Sequence, residues 1–174
     1  MKKRIFLALE LPKDVRRKLK KYFNKSLPVR WVNPENLHVT LNFLGEIDDL
    51  QLAQVLEIVQ TVSGRHPQTE ITLEKIIPFK YMIWAQVKNN PELQSLYEDL
   101  NQEFTAANIG RRQHQSYRPH INLARANQDT VSIQPEIALS NLRFSAKDVV
   151  VFQSILKADG PEYISLDAFA LLSK

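Results

Sequence analysis

Two short segments of this 174-residue chain carry the same pattern, Leu37-His38-Val39-Thr40-Leu41 and Pro119-His120-Ile121-Asn122-Leu123. Side chains alternate along a strand with period two, so in each copy the histidine shares a face with the polar residue two positions on. With an ordinary pKa of about 6.5, histidine takes or gives a proton near neutral pH. His38 and His120, facing each other, would form a general acid and a general base, one neutral and one protonated at the start. Thr40 adds a hydroxyl to the first face, although a β-branched residue also suits a plain strand. One strand histidine is more often structural; two in matching contexts favour catalysis.

No metal is expected between them, because no His-x-His, His-Glu-x-x-His or nearby Asp set accompanies them. The chain has no cysteine, which excludes thiolate nucleophiles, disulfides and cysteine-based zinc sites. His66, beside a proline in a turn, and His114, in a polar loop, are assigned no chemistry.

The elements that must position the two histidines also repeat. Arg4 to Leu9 reads as a strand, and a helix of about ten residues follows, opening at Leu11-Pro12-Lys13-Asp14 and ending near Asn24. Trp31-Val32 is extended, Asn33 to Asn36 a turn, and His38 to Leu44 a strand stopped by Gly45. Asp48 or Asp49 caps a second helix with a broad apolar face, and Glu70 to Ile77 returns to strand. Tyr81 to Val87 is then a strand, Asn90-Pro91-Glu92 opens a helix, and a polar loop through Arg111, Arg112, His114 and Arg118 leads to His120. Strand, helix, loop and histidine strand therefore occur twice. A duplicated α+β unit with approximate twofold symmetry is the economical reading. Further strands are expected at Leu142 to Phe144, Asp148 to Leu156 and Tyr163 to Leu172, with Gly160-Pro161 in the turn between the last two.

Charge is unevenly spread. Residues 1–30 hold eleven of the 23 Lys and Arg but only two of the 19 Asp and Glu, a balance of +9; the rest stands at 12 against 17, or −5. A basic end on an acidic body suits a polyanion such as RNA, although a solvated helix face gives the same pattern. The apolar stretch Ile5 to Leu9 is too short for a signal core or a membrane span, so a soluble, cytoplasmic protein without membrane contact is expected, with a monomer as the default.

The segments Ile5 to Pro12, Arg30-Trp31-Val32, Asn36 to Glu46 and Tyr117 to Arg125 resemble the 2H phosphoesterases, and most closely the bacterial and archaeal RNA 2′,3′-cyclic phosphodiesterases, also called 2′-5′ RNA ligases. The resemblance runs over essentially the whole chain, through Gly160-Pro161-Glu162-Tyr163. It implies an α+β, bilobal fold of two antiparallel sheets facing a central cleft, with helices outside. The lobes would be residues of about 1–78 and 79–174 of a single domain, with scope for the terminal strands to be exchanged. It further implies hydrolysis of RNA 2′,3′-cyclic phosphate ends to 2′-phosphates, some relatives also joining 2′-5′ linkages, with no metal or other cofactor. Opening such a ring with water needs a base for the water and an acid on the departing ribose oxygen, the roles open to His38 and His120.

Positioned donors must also stabilise the charge on the phosphate oxygens. Thr40, Asn122 and Arg125 would supply them, Arg125 matching the second motif's phosphate-binding arginine five places after its histidine. Asn122 stands where that motif has Thr or Ser; its amide nitrogen is expected to face the phosphate. Phe6 and Trp31 are candidates to stack on a nucleobase, and equally to lie in the core. A binding module for RNA ends that has lost turnover is the alternative function, and a small cyclic phosphate the alternative substrate.

Overall fold

In the computed structural model, which describes residues 1–110, 116–126, 136–139, 142–158 and 160–173, strands and helices follow the anticipated order. The elements are β1 (Lys3–Glu10), α1 (Lys13–Lys20), β2 (Val29–Trp31), β3 (His38–Ile47), α2 (Asp49–Ser63), β4 (Thr69–Phe79), β5 (Met82–Lys88), α3 (Pro91–Ala106), β6 (His120–Ala126), β7 (Ile137–Ala138), β8 (Arg143–Ala146), β9 (Asp148–Lys157) and β10 (Gly160–Ala170). A single 3-10 turn, Pro34–Asn36, precedes β3.

The strands form two antiparallel sheets, one in the order β10-β9-β1-β3 and the other in the order β2-β6-β5-β4-β7, with β8 also on β4. Chain halves and sheets do not coincide. The late strands β9 and β10 complete the sheet of β1 and β3, and the early strands β2 and β4 belong to the sheet of β6.

Alternation explains why β1 lies at the centre of its sheet. Ile5, Leu7 and Leu9 point into the main core, and Phe6 and Ala8 point the other way into a small cluster with Val150 and Phe152. Helix stripes fill the main core: Val15 and Leu19 from α1, Val55, Val59 and Val62 from α2, and Leu93, Leu96, Leu100 and Phe104 from α3. Each such side chain contributes roughly 1.5–3 kcal/mol on burial. The Asp48 side chain caps α2 in a reciprocal box with Gln51, and Asn90 caps α3 ahead of Pro91.

Several boundaries differ from the sequence reading: Gly160 and Pro161, read as a turn, already pair with Lys157 and Leu156, so β10 begins at Gly160 and ends at Ala170. Helix α1 stops at Lys20, and Tyr22 and Phe23 turn to pack against the core. Strand β3 does not stop at Gly45: its φ of 77° accommodates a bulge, and pairing with β1 continues to Ile47. The two-residue β7 was not anticipated, being too short to show a period. Among the described residues no helix is long and apolar enough to cross a membrane.

Candidate active site

His38 and His120 are the first residues of β3 and β6, and the two strands share one irregularity. In the first sheet Glu10 pairs with His38 and Ala8 with Thr40, but Leu7 then pairs with Asn42. In the second, Gln86 pairs with His120 and Trp84 with Asn122, but Ile83 then pairs with Ala124. One residue, Leu41 or Leu123, is thus left without an opposite number. Such a bulge shifts the alternation by one, so the fifth residue after each histidine returns to the histidine face. That residue is Phe43 in β3 and Arg125 in β6. An unbroken strand would have turned Arg125 away.

Both imidazoles are oriented by the chain just before them. His38 Nδ1 donates to the Asn36 carbonyl at 2.7 Å and His120 Nδ1 to the Arg118 carbonyl at 2.8 Å. A carbonyl only accepts, so each neutral ring carries its proton on Nδ1 and presents Nε2 as the free base. The Asn36 side chain in turn donates to the Pro161 carbonyl at 3.1 Å, tying the turn before His38 to the β9–β10 hairpin.

Aromatic rings back each histidine. His38 lies 5.0 Å from the Phe6 ring and edge-on to Tyr163 at 5.4 Å. His120 stacks on Trp84 at 3.7 Å, and Trp84 stacks on Phe79. Burial pushes the His38 pKa down to about 4; the Asn36 hydrogen bond opposes this, and the charges of His120 and Arg16 add to it. Burial also lowers His120, against the Arg118 hydrogen bond.

The remaining expected site residues fall into two groups. Thr40, Asn122 and Arg125 lie on the histidine faces. Asn122 Oδ1 is buried with no hydrogen-bond partner, as is Nε1 of its cross-strand neighbour Trp84. Phe6 and Trp31 are not free rings. Phe6 is 2 % exposed, with His38, Phe43, Phe152 and Tyr163 around it. Trp31 stacks on Phe23 at 4.4 Å and donates its Nε1 hydrogen to the Asn24 carbonyl. Phe6 is buried in the small cluster opposite the main core, whereas Trp31 is half-buried with Phe23 against one face.

The structure adds residues that the sequence reading did not assign. Phe43 is 57 % exposed on the histidine face, and its place five residues after His38, as Arg125 is after His120, was the signal for it. Arg16 does not join the water-facing charges of α1: it pairs with Glu10 and Glu35 at 3.5 and 2.8 Å. Beside it a cavity of about 220 Å³ opens between Glu10, Arg16, Glu35, His38, Phe152 and Tyr163. No sequence pattern announced that inward turn.

His66 has a structural partner, Asp99 at 2.8 Å, which Arg65 also grips with two hydrogen bonds, fastening the end of α2 to α3. Arg111, Arg112 and His114 lie outside the described residues. Among the described residues no group of three or more His, Asp or Glu side chains converges as metal ligands would.

The family model described as the 2′-5′ RNA ligase superfamily matches residues 10–155. An RNA 2′,3′-cyclic phosphodiesterase of Methanocaldococcus jannaschii is 25 % identical, over 92 % of this chain and 96 % of the relative. One from Archaeoglobus fulgidus is 29 % identical, over 95 % and 99 %. Among solved structures, Escherichia coli LigT complexed with 3′-AMP superimposes with a TM-score of 0.83 at 23 % identity, covering 98 % of this chain and 99 % of that one. TT0787 of Thermus thermophilus does so at 0.85 and 24 % identity, covering 97 % of each chain.

Proposed function

The chain belongs to the 2′-5′ RNA ligase superfamily, and from that premise we propose that it opens the 2′,3′-cyclic phosphate ends of RNA to 2′-phosphates by a metal-independent, two-histidine mechanism. Reversible 2′-5′ joining would run through the same groups. The observation that carries the reading is the matched pair of bulged strands, each presenting a histidine Nε2 fixed by an Nδ1 hydrogen bond to main chain.

In the forward reaction, the base histidine takes a proton from water on Nε2 as the water oxygen bonds to phosphorus. The bond from phosphorus to O3′ breaks, and the acid histidine delivers its Nε2 proton to that oxygen. Two features favour His38 as the base. Its environment disfavours the imidazolium more strongly, through burial, Arg16 and His120. An anionic phosphate between the rings would then recruit its proton to His120. Thr40 Oγ1, Asn122 Nδ2 and the Arg125 fork would donate to the phosphate oxygens as charge builds. Exposed Phe43 offers a face to a base of the strand end.

Arg17, Lys18 and Lys20 in the last turn of α1 supply cations for an RNA backbone. The deciding experiment incubates the protein with RNA ending in a 2′,3′-cyclic phosphate, with and without EDTA. A 2′-phosphate formed equally in both arms is expected. Binding without turnover would replace the reading with an RNA-end binding module, and inhibition by EDTA would remove the metal-free mechanism.

A further inference from the structure

Arg30 stands directly opposite Arg125 in the pairing of β2 with β6. Facing residues of an antiparallel pair project to the same side, and like charges so placed weaken a sheet. Arg125 is on the histidine face because of the bulge at Leu123, so Arg30 is there too. Neither guanidinium has a carboxylate partner among the described residues, whereas Arg16 and Arg65 each have two.

Arg30 also spans from one sheet to the other. A methyl group placed on Gly160, the first residue of β10, would lie 2.7 Å from Arg30 Nη2. The φ of 120° at Gly160 is itself one that L side chains rarely adopt. Glycine there both turns the hairpin and leaves bare backbone for the guanidinium to rest on. Three residues along β10, Tyr163 stands against His38, and the charges of Arg125 and Arg4 both act on its phenol. Arg4, two residues before Phe6, shares the face of β1 that carries Phe6. Arg125 and Arg4 thus act on Tyr163, while Arg30 reaches the start of the same strand at Gly160.

This cluster is more than the reacting phosphate needs. Arg30 and Arg125 lie about four strand positions from His120, roughly 13 Å along β6. The Arg30 guanidinium lies at Gly160 of β10 in the other sheet.

We propose that Arg30, opposite Arg125 in the ladder, holds a second phosphate of the substrate: the phosphodiester that precedes the reacting cyclic end. The proposal rests on the function given above and narrows its substrate class to oligonucleotides rather than cyclic mononucleotides. The planar fork of Arg30, without a carboxylate partner among the described residues, suits the oxygens of that phosphodiester, whose negative charge also relieves the repulsion between Arg30 and Arg125, leaving Arg125 to the reacting phosphate.

The test compares adenosine 2′,3′-cyclic phosphate, with one phosphate, and a dinucleotide ending in a 2′,3′-cyclic phosphate, with two. The quantity read is the ratio of kcat/KM for the dinucleotide to that for the mononucleotide. Arg30→Gln should lower this ratio about tenfold, the size of one charge-assisted hydrogen-bonded contact, and Arg30→Lys should restore part of it. In parallel, binding of a 3′-phosphorylated pentanucleotide is followed against salt; loss of one contact should lower the slope of log K on log salt by about 0.7. A ratio and a slope both unchanged in Arg30→Gln overturn the proposal. If the parent protein turns over neither substrate, the hydrolytic reading fails instead, and the salt slope alone decides whether Arg30 holds a phosphate.

Discussion

The Tyr117 hydroxyl donates to the main-chain carbonyl of Thr40 at 3.0 Å, so the segment leading into the second histidine is fastened to the strand that carries the first. The Tyr117 ring stacks on Tyr97 of α3 at 4.1 Å, and burial drives its phenol far above the ordinary range, keeping it a donor at any working pH. Tyr117→Phe removes this clamp between the two motifs. We expect a loss of about 1 kcal/mol in stability by chemical denaturation. Steady-state kinetics should show kcat falling more than KM rises, because the spacing of the two histidines matters most in the transition state.

His120→Ala should lower kcat for a cyclic-ended RNA by about 10²–10⁴, the usual worth of a positioned acid or base. Affinity, read by fluorescence anisotropy, should stay within a few fold of the parent. Retained turnover would remove His120 from the chemistry.

Asn122→Ala should cost about a hundredfold in kcat, as loss of a transition-state donor does, with a smaller change in KM. Asn122→Thr should keep a donor at the same strand position and recover most of the rate. An alanine variant as active as the parent would sink the role given to the Nδ2 donor.

Phe43 and Phe6 touch each other yet should respond differently. Phe43→Ala removes an exposed ring and should raise KM for RNA about tenfold, within the usual range for one stacked base, with little change in thermal unfolding. Phe6→Ala empties a buried position and should cost about 3–5 kcal/mol of stability.

Acid should destabilise the fold through His38. Its pKa is lowered from 6.5 to about 4 in the folded state, so between those values the unfolded chain takes up a proton that the native site does not. Stability therefore falls as pH falls through that window, by up to about 3 kcal/mol. Urea titrations from pH 8 to 4 should show a shallower decline for His38→Gln than for the parent.

The strand, helix and cap positions were legible because their causes are local. An apolar run marked β1 and alternation β3, the Asp48 and Asn90 caps marked the starts of α2 and α3, and the repeated pattern of a histidine with a polar residue two places on singled out His38 and His120. The residues at Thr40, Asn122 and Arg125 were named from the same linear pattern.

What that pattern did not contain is anything set by a partner distant in the chain. Period two alone would turn Arg125 and Phe43 away from their histidines; the unpaired Leu41 and Leu123 turn them back, and a bulge exists only once β1 or β5 supplies the other side of the ladder. Phe6 and Trp31 read as candidate base contacts because exposure has no local signature. Packing with Phe152 and Tyr163 buried Phe6, and Phe23 covered one face of the half-buried Trp31. Arg16 looked like one more helix cation until Glu10 and Glu35 were brought beside it. The amino-acid order by itself determined which residues carry the chemistry and on which elements they sit. Register, burial and charge pairing between segments up to 130 residues apart, as Arg30 and Gly160 are, belong to the tertiary structure, since each is a property of two segments at once.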